Sequence, residues 1–289
     1  MYWLLLSIFA NTALLLILKS FTRFGVNTLQ AIVVNYFVAG FTGIILSGIP
    51  FPISEIPQQA WWWIPLVLGT LFISIFLLIA KTAQTLGVSV ATVANKMSVV
   101  IPVLVAVFLY KESIVAFKII GLVIAIVAVY FTSVPPKKEE HSAKNRLWMP
   151  ALIFIGSGII DALVNHAKTT RLVSDAHLPF FISLSFLTAG IIGITLVTIR
   201  IVRFKEKFQL KSLFAGIILG IPNYFSIYGI TRALGCNIME SSALYPVNNM
   251  GIVALSALGA LLLFKEKLSI LNWLGILLSL GAIALIAFN

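Results

Sequence analysis

The sequence predicts an all-α integral membrane protein, with ten transmembrane helices forming two inverted five-helix repeats. Three observations carry this. The 289 residues are 60% hydrophobic and only 10% charged, with a mean hydropathy of +1.08, whereas soluble domains carry about 25% charged residues. Second, the chain repeats itself. Ala39-Gly40-Phe41-Thr42-Gly43-Ile44 returns 150 residues later as Ala189-Gly190-Ile191-Ile192-Gly193-Ile194. Asn95-Lys96-Met97 returns 153 residues later as Asn248-Asn249-Met250, and Tyr110-Lys111-Glu112 returns 154 residues later as Phe264-Lys265-Glu266. Gly121 and Gly275 keep that last spacing. Third, the apolar runs on either side of one charged linker number five, an odd count.

A bilayer core takes roughly 20 apolar residues per helix, so this chain has room for about ten helices and no sizeable soluble domain. The net charge of +11 does not point to nucleic acid. The basic residues sit in short loops between apolar runs, where Lys and Arg set topology and meet lipid headgroups. The single cysteine, Cys236, allows no intramolecular disulfide. The first residues, Met1-Tyr2-Trp3-Leu4, lack the basic start of a signal peptide, so the first apolar run reads as a retained span.

Taken in order, the spans fall near 1–18, 28–47, 60–80, 88–110, 114–132, 148–168, 178–200, 209–230, 238–264 and 270–288. Most connections are short. The exception is Pro135-Pro136 followed by a charged stretch, which marks a linker. The expected organisation is therefore a first repeat over 1–133, a linker over 134–147 and a second repeat over 148–289. A unit of five spans ends on the side opposite its start. The second copy then enters the membrane upside down, the arrangement that lets two halves exchange conformations in alternating access. The paired glycines, Gly40 with Gly43 and Gly190 with Gly193, suit close helix packing and are expected to hold each half together.

The richest basic loops are the linker (Lys137, Lys138, Lys144, Arg146) and the seventh-to-eighth connection (Arg200, Arg203, Lys205, Lys207, Lys211). Lys19, Arg23, Lys265 and Lys267 share their side. Positive-inside logic puts that side in the cytoplasm and both termini outside.

Polar residues deep in a span cost about 2.5–3.5 kcal/mol when charged and usually face an interior cavity. Lys96 lies nine residues into the fourth span, some 13 Å along it. With Asn95 it can hold an anionic group, or it can complete an internal ion pair. On the sixth span Asp161, Asn165 and Lys168 form one stripe, with His166 beside it. Asp161 suits a proton carrier or a charge partner for Lys96, and His166 suits a hydrogen-bonded helix end or a relay. On the eighth span Asn223, Tyr224 and Tyr228 follow Pro222, which breaks the backbone ladder. On the ninth, Tyr245 and Asn248 share a face and Asn249 adjoins. The two asparagines are either helix–helix glue or substrate ligands. The matched depth of Asn95-Lys96 favours ligands. Glu240 suits the positive end of the ninth helix or a coupling role. Lys111-Glu112 and Lys265-Glu266 read as turn and interface residues.

Ten spans in two halves, with Lys-Glu after the fourth and ninth, resemble the EamA-type branch of the drug/metabolite transporter superfamily over essentially the whole chain. Pro102…Glu112 and Pro246…Glu266 are the loose motifs involved. The resemblance implies a multi-pass plasma-membrane carrier of small metabolites, often an exporter. Its central cavity would be lined by the third, fourth, eighth and ninth helices and parts of the first and sixth. The family's best-described members are usually drawn with both termini in the cytoplasm.

The expected function is thus a secondary transporter, an exporter or exchanger with no cofactor. Its partners would be membrane lipids and a small substrate, anionic or zwitterionic given Lys96. A flippase for lipid-linked intermediates, or an accessory membrane subunit, is the alternative. An intramembrane enzyme ranks last, since the sequence has no HExxH, no paired-Asp motif and no cysteine-histidine set, and the absence of GxxxxGK[ST] argues against direct ATP hydrolysis.

Overall fold

A computed structural model of the chain describes residues 1–47, 54, 56–110, 116–134, 146–167, 178–236 and 241–287. Among them there are eleven α-helices and no strand: α1 (Tyr2–Phe24), α2 (Thr28–Ser47), α3 (Ile64–Thr85), α4 (Val88–Met97), α5 (Val100–Tyr110), α6 (Ala116–Ser133), α7 (Trp148–His166), α8 (Leu178–Phe204), α9 (Leu210–Gly235), α10 (Ser241–Phe264) and α11 (Ile270–Ala287). Eight stretches are long and apolar enough to cross a bilayer, and 119–133 and 270–286 are shorter apolar helices. Large apolar side chains line outer faces that water would not tolerate: Ile119, Val123, Ile126 and Tyr130 form an exposed stripe along α6. Such a face needs lipid or protein against it. This is an all-α membrane protein.

Several helices outrun the apolar runs that foretold them. The first extends past Lys19 and Arg23 and stops at Gly25, whose φ of 57° turns the chain sharply. The eighth carries Arg200 and Arg203 on its last turns. Long basic side chains tolerate such positions because they reach for the headgroups.

By contacts the chain forms two compact units: residues 1–20, 78–159 and 225–289, and residues 21–77 and 160–224. In the first unit α6 packs along α11, and α4, α10 and α11 join them. Their shared core includes Val93, Met97, Leu122, Val253, Ala257 and Ile283. Small residues set the spacing. A Cβ on Gly121 would meet Ala282 O at 3.1 Å, and one on Gly275 would meet Thr132 N at 2.6 Å. Residues rising along one helix meet residues falling along the other, so α6 and α11 are antiparallel. Asn272 stitches their ends, donating from Nδ2 to Thr132 O and Val134 O at 2.9 Å each, while its Oδ1 accepts from Ser269 N at 2.9 Å. The start of α1 runs parallel to α10, with Ile8 against Gly251 and Leu16 against Gly259.

In the second unit α2 packs along α8, again antiparallel. Gly40 faces Leu187 and Gly43 faces Ser183, while Gly190 faces Phe37 and Gly193 faces Val33. The glycine pairs therefore join the first half to the second. The expectation that they hold each half together is corrected: a small-residue face shows that something comes close, not which helix it is. Gly216 and Gly220 of α9 bring that helix against Val34 and Val38 of α2. Tyr36 of α2 donates its hydroxyl to Phe72 O at 2.7 Å. Trp61, Ile64, Leu68 and Phe181 form this unit's aromatic-aliphatic core.

The fourth span differs from the continuous 88–110 helix read from the sequence. It breaks between α4 and α5. Pro102 has no N–H to give Ser98 O, and its ring clashes with that carbonyl. Ile101 N takes Ser98 O instead at 2.9 Å, and the Ser98 hydroxyl bonds back to Asn95 O at 2.5 Å.

Candidate functional site

The first unit gathers the deep polar residues of two repeat mates. Asn95 and Lys96 end α4, half-buried, one residue before the core methionine Met97. Thr92, one turn earlier, is buried and spends its hydroxyl on Val88 O at 2.8 Å. It therefore supports the helix and offers no free donor. In α10 Asn248 and Asn249 directly precede Met250, which packs on the core that holds Met97. Asn248 is 5% exposed, and among the described residues its buried Oδ1 has no hydrogen-bond donor. A buried acceptor without a partner costs about 1–3 kcal/mol, so the position asks for an N–H or O–H from elsewhere. Asn249 is half-buried, while Tyr245 is 48% exposed.

The chemistry of this group is complementary. Lysine offers only donors and a positive charge. Asn248 Oδ1 offers only acceptance. Together they can read a molecule that bears an anionic group and a donor.

The residues of α9 contact other protein groups. Asn223 is buried and donates from Nδ2 to Asn35 Oδ1 at 3.1 Å, tying α9 to α2 within the second unit. The ring of Tyr224 lies against Gly43. Tyr228, in the first unit, accepts from Arg232 Nε at 2.9 Å, with the guanidinium 5.3 Å from its ring centroid and Trp3 edge-on at 5.6 Å. α9 continues through Pro222 without a break. In the second unit Asp161 and Asn165 are exposed and His166 is half-buried at the end of α7. Glu240, Lys168, Lys111 and Glu112 lie outside the described residues.

Sequence reasoning named Glu266 as a turn and interface residue but missed its partner. It is no plain turn residue. Its Oε1 accepts from Val88 N, the first amide of α4, at 2.9 Å and lies 3.5 Å from Lys19 Nζ. Gly87, with φ of 117°, leaves room for the carboxylate: a Cβ there would meet Glu266 Oε2 at 2.9 Å. The signal was present, since α8 ends on the same Phe-Lys-Glu-Lys as α10. Sequence reasoning also missed Asn35, buried in an otherwise apolar helix.

No protein-family model matches the chain. It is similar to an uncharacterized protein of Haemophilus influenzae, 29% identical over 290 residues, covering 98% of this chain and 96% of that protein. A solved crystal structure of a protein resembles it with a TM-score of 0.57 at 14% identity, covering 98% of this chain and 97% of the other. That likeness extends to the fold alone, and it takes in nearly the whole course of both chains.

Proposed function

We propose that the chain is a secondary transporter of the EamA type. Ten membrane helices in two inverted halves would move a small metabolite by alternating access, as an exporter or exchanger of the plasma membrane. The observation that carries the reading is the break in the fourth span at Ser98–Val99, just beyond Lys96 and Met97. Discontinuous helices with polar residues at the break are how carriers build sites near the bilayer midplane. Irregular backbone in lipid is tolerated only where protein or a cavity satisfies it.

The packing of repeat mates supports the inversion. Span two lies against span seven and span five against span ten, each pair antiparallel, with glycines facing reciprocally. A two-fold axis in the membrane plane generates that relation between mates. Lys96, Asn95, Asn248 and Asn249 are the proposed ligands, with Tyr245 at their exposed margin. The charge of Lys96 and the orphan acceptor of Asn248 support an anionic or zwitterionic substrate that carries a donor. Asp161, with Asn165 and His166, is the proposed coupling group.

The test compares metabolites released by cells with and without the protein, followed by flux of the compounds found in proteoliposomes. Lys96→Ala should abolish flux with the fold intact. Unchanged flux in that variant removes Lys96 from the site, and no compound differing between the cells counts against transport.

A further inference from the structure

Two helices of this protein end in the same turn. Phe204-Lys205-Glu206-Lys207 follows α8 as Phe264-Lys265-Glu266-Lys267 follows α10. In each the lysine is left-handed, with φ of 54° and 51°. In each the glutamate N–H reaches back six residues, Glu206 to Arg200 O at 3.4 Å and Glu266 to Ala260 O at 3.2 Å. Each turn aims its carboxylate at the start of another helix. Glu206 takes Arg200 Nη1 at 2.9 Å and Asn27 Nδ2 at 3.4 Å, and Asn27 caps α2 by accepting from Gln30 N. Glu266 acts without an intermediary, on Val88 N itself.

The first amides of a helix have no partner within it and sit at its positive end. A carboxylate there satisfies one amide and meets the dipole favourably. α4 depends on this contact more than α2 does. It spans ten residues, its N-cap glycine has no side chain to offer, and the Pro102 break uncouples it from α5. Its buried side chains pack against α6, α10 and α11, and the contact at Val88 N holds its first turn. Lys96 lies eight residues beyond Val88 on the same rigid piece.

We propose that Glu266 is the positioning residue of α4. Its clasp ties the helix bearing Asn95 and Lys96 to the end of α10, the helix bearing Asn248 and Asn249. Lys19 adds the end of α1 through a longer contact, 3.5 Å. Release of the clasp lets α4 move as a unit. The consequence for substrate rests on the transporter reading; the clasp itself does not.

Thiol labelling tests it. In a Cys236→Ser background, single cysteines are introduced as Ser89→Cys in the first turn of α4 and Ser279→Cys in α11, both at buried serines. A polyethylene-glycol maleimide reports their exposure in proteoliposomes. With Glu266 in place both should react slowly. Glu266→Ala should speed labelling at position 89 by about tenfold, the shift that follows loss of a helix cap, and leave position 279 unchanged. Glu266→Gln should retain protection because its amide oxygen still accepts from Val88 N. The exchanged pair Lys19→Glu with Glu266→Lys should not, since an ammonium cannot accept and opposes the dipole. Glu266→Met carries the same expectation as alanine and keeps the volume should alanine fail to accumulate. Unchanged labelling at position 89, or an equal rise at position 279, overturns the proposal. Flux of the identified metabolite through the same variants separates the two ideas. Labelling that rises in a protein without flux in any form ends the carrier reading and leaves the clasp. Flux with labelling unchanged ends the clasp and leaves the carrier.

Discussion

The fourth span and the ninth carry matching sequence, yet they are built differently. Both place a polar pair just before a core methionine, at Asn95-Lys96-Met97 and Asn248-Asn249-Met250. The first copy carries a charge and then breaks, at Ser98–Val99. The second is neutral and runs unbroken from Ser241 to Phe264. Elsewhere the copies agree closely, down to glycines that face each other's helices. The difference teaches where duplication stopped constraining the chain. The scaffold kept its symmetry because each half packs on the other. The polar centre did not, and on the transporter reading the reason is that a substrate need not be symmetric.

The largest expected effect comes from erasing the charge difference. Lys96→Asn makes the fourth span match the ninth. On the transporter reading it removes a charge-assisted substrate contact worth about 1.5–3 kcal/mol, roughly ten- to hundredfold in flux. Transport assays on the purified variant check it, with thermal unfolding as the control for folding. The reverse change, Asn249→Lys, should not rescue Lys96→Asn, since the unbroken helix offers no equivalent seat. Rescue would mean the two positions are interchangeable.

The symmetric part should fail in a different way. On α11 a Cβ at Gly275 collides with the backbone of α6, whereas one at Gly281 meets nothing within 4 Å. Gly275→Ala should cost about 1–3 kcal/mol by overpacking. Gly281→Ala should be neutral or add about 0.4–1 kcal/mol through the stiffer unfolded chain. Both are read by thermal or denaturant unfolding in detergent. Equal effects would show that the α6–α11 seam is not as tight as its glycines imply.

The break itself can be closed. Pro102→Ala supplies the missing N–H and removes the ring clash with Ser98 O, so α4 and α5 should fuse. Stability should hold or rise by about 1 kcal/mol, well short of the full penalty of about 3 for an interior proline, because the chain already bends to fit it. Amide exchange at 98–101 should slow, and flux should fall by about tenfold if the break serves the site. Slower exchange with full flux would make the break a packing accident.

Much of this was legible in the sequence because hydropathy and repetition are long-range averages. Ten apolar runs, the linker and the matched pairs need no knowledge of contacts. What escaped depends on where a side chain points. The sequence does not show that Asn223 meets Asn35, or that Tyr228 meets Arg232. Glu266 reads as a turn because its partner, Val88 N, lies 178 residues away and is a backbone group with no sequence signature. Pro102 was visible, but not whether its helix would kink, run on as α9 does through Pro222, or break.

The smallest effect belongs to Asn248, and its smallness is the point. Asn223→Leu should destabilise by about 1–3 kcal/mol, since buried Asn35 loses its cross-helix donor. Asn248→Leu removes an acceptor that has no donor among the described residues. The branched shape is kept and no hydrogen bond to Oδ1 is lost, so stability should change by less than about 1 kcal/mol, in either direction. On the transporter reading, what should disappear is the thermal shift produced by the metabolite the release screen identifies. A structural asparagine behaves the other way: its loss costs stability and leaves any surviving ligand shift intact. If Asn248→Leu unfolds the protein as readily as Asn223→Leu does, the ninth span contributes glue and only the broken fourth span contributes recognition.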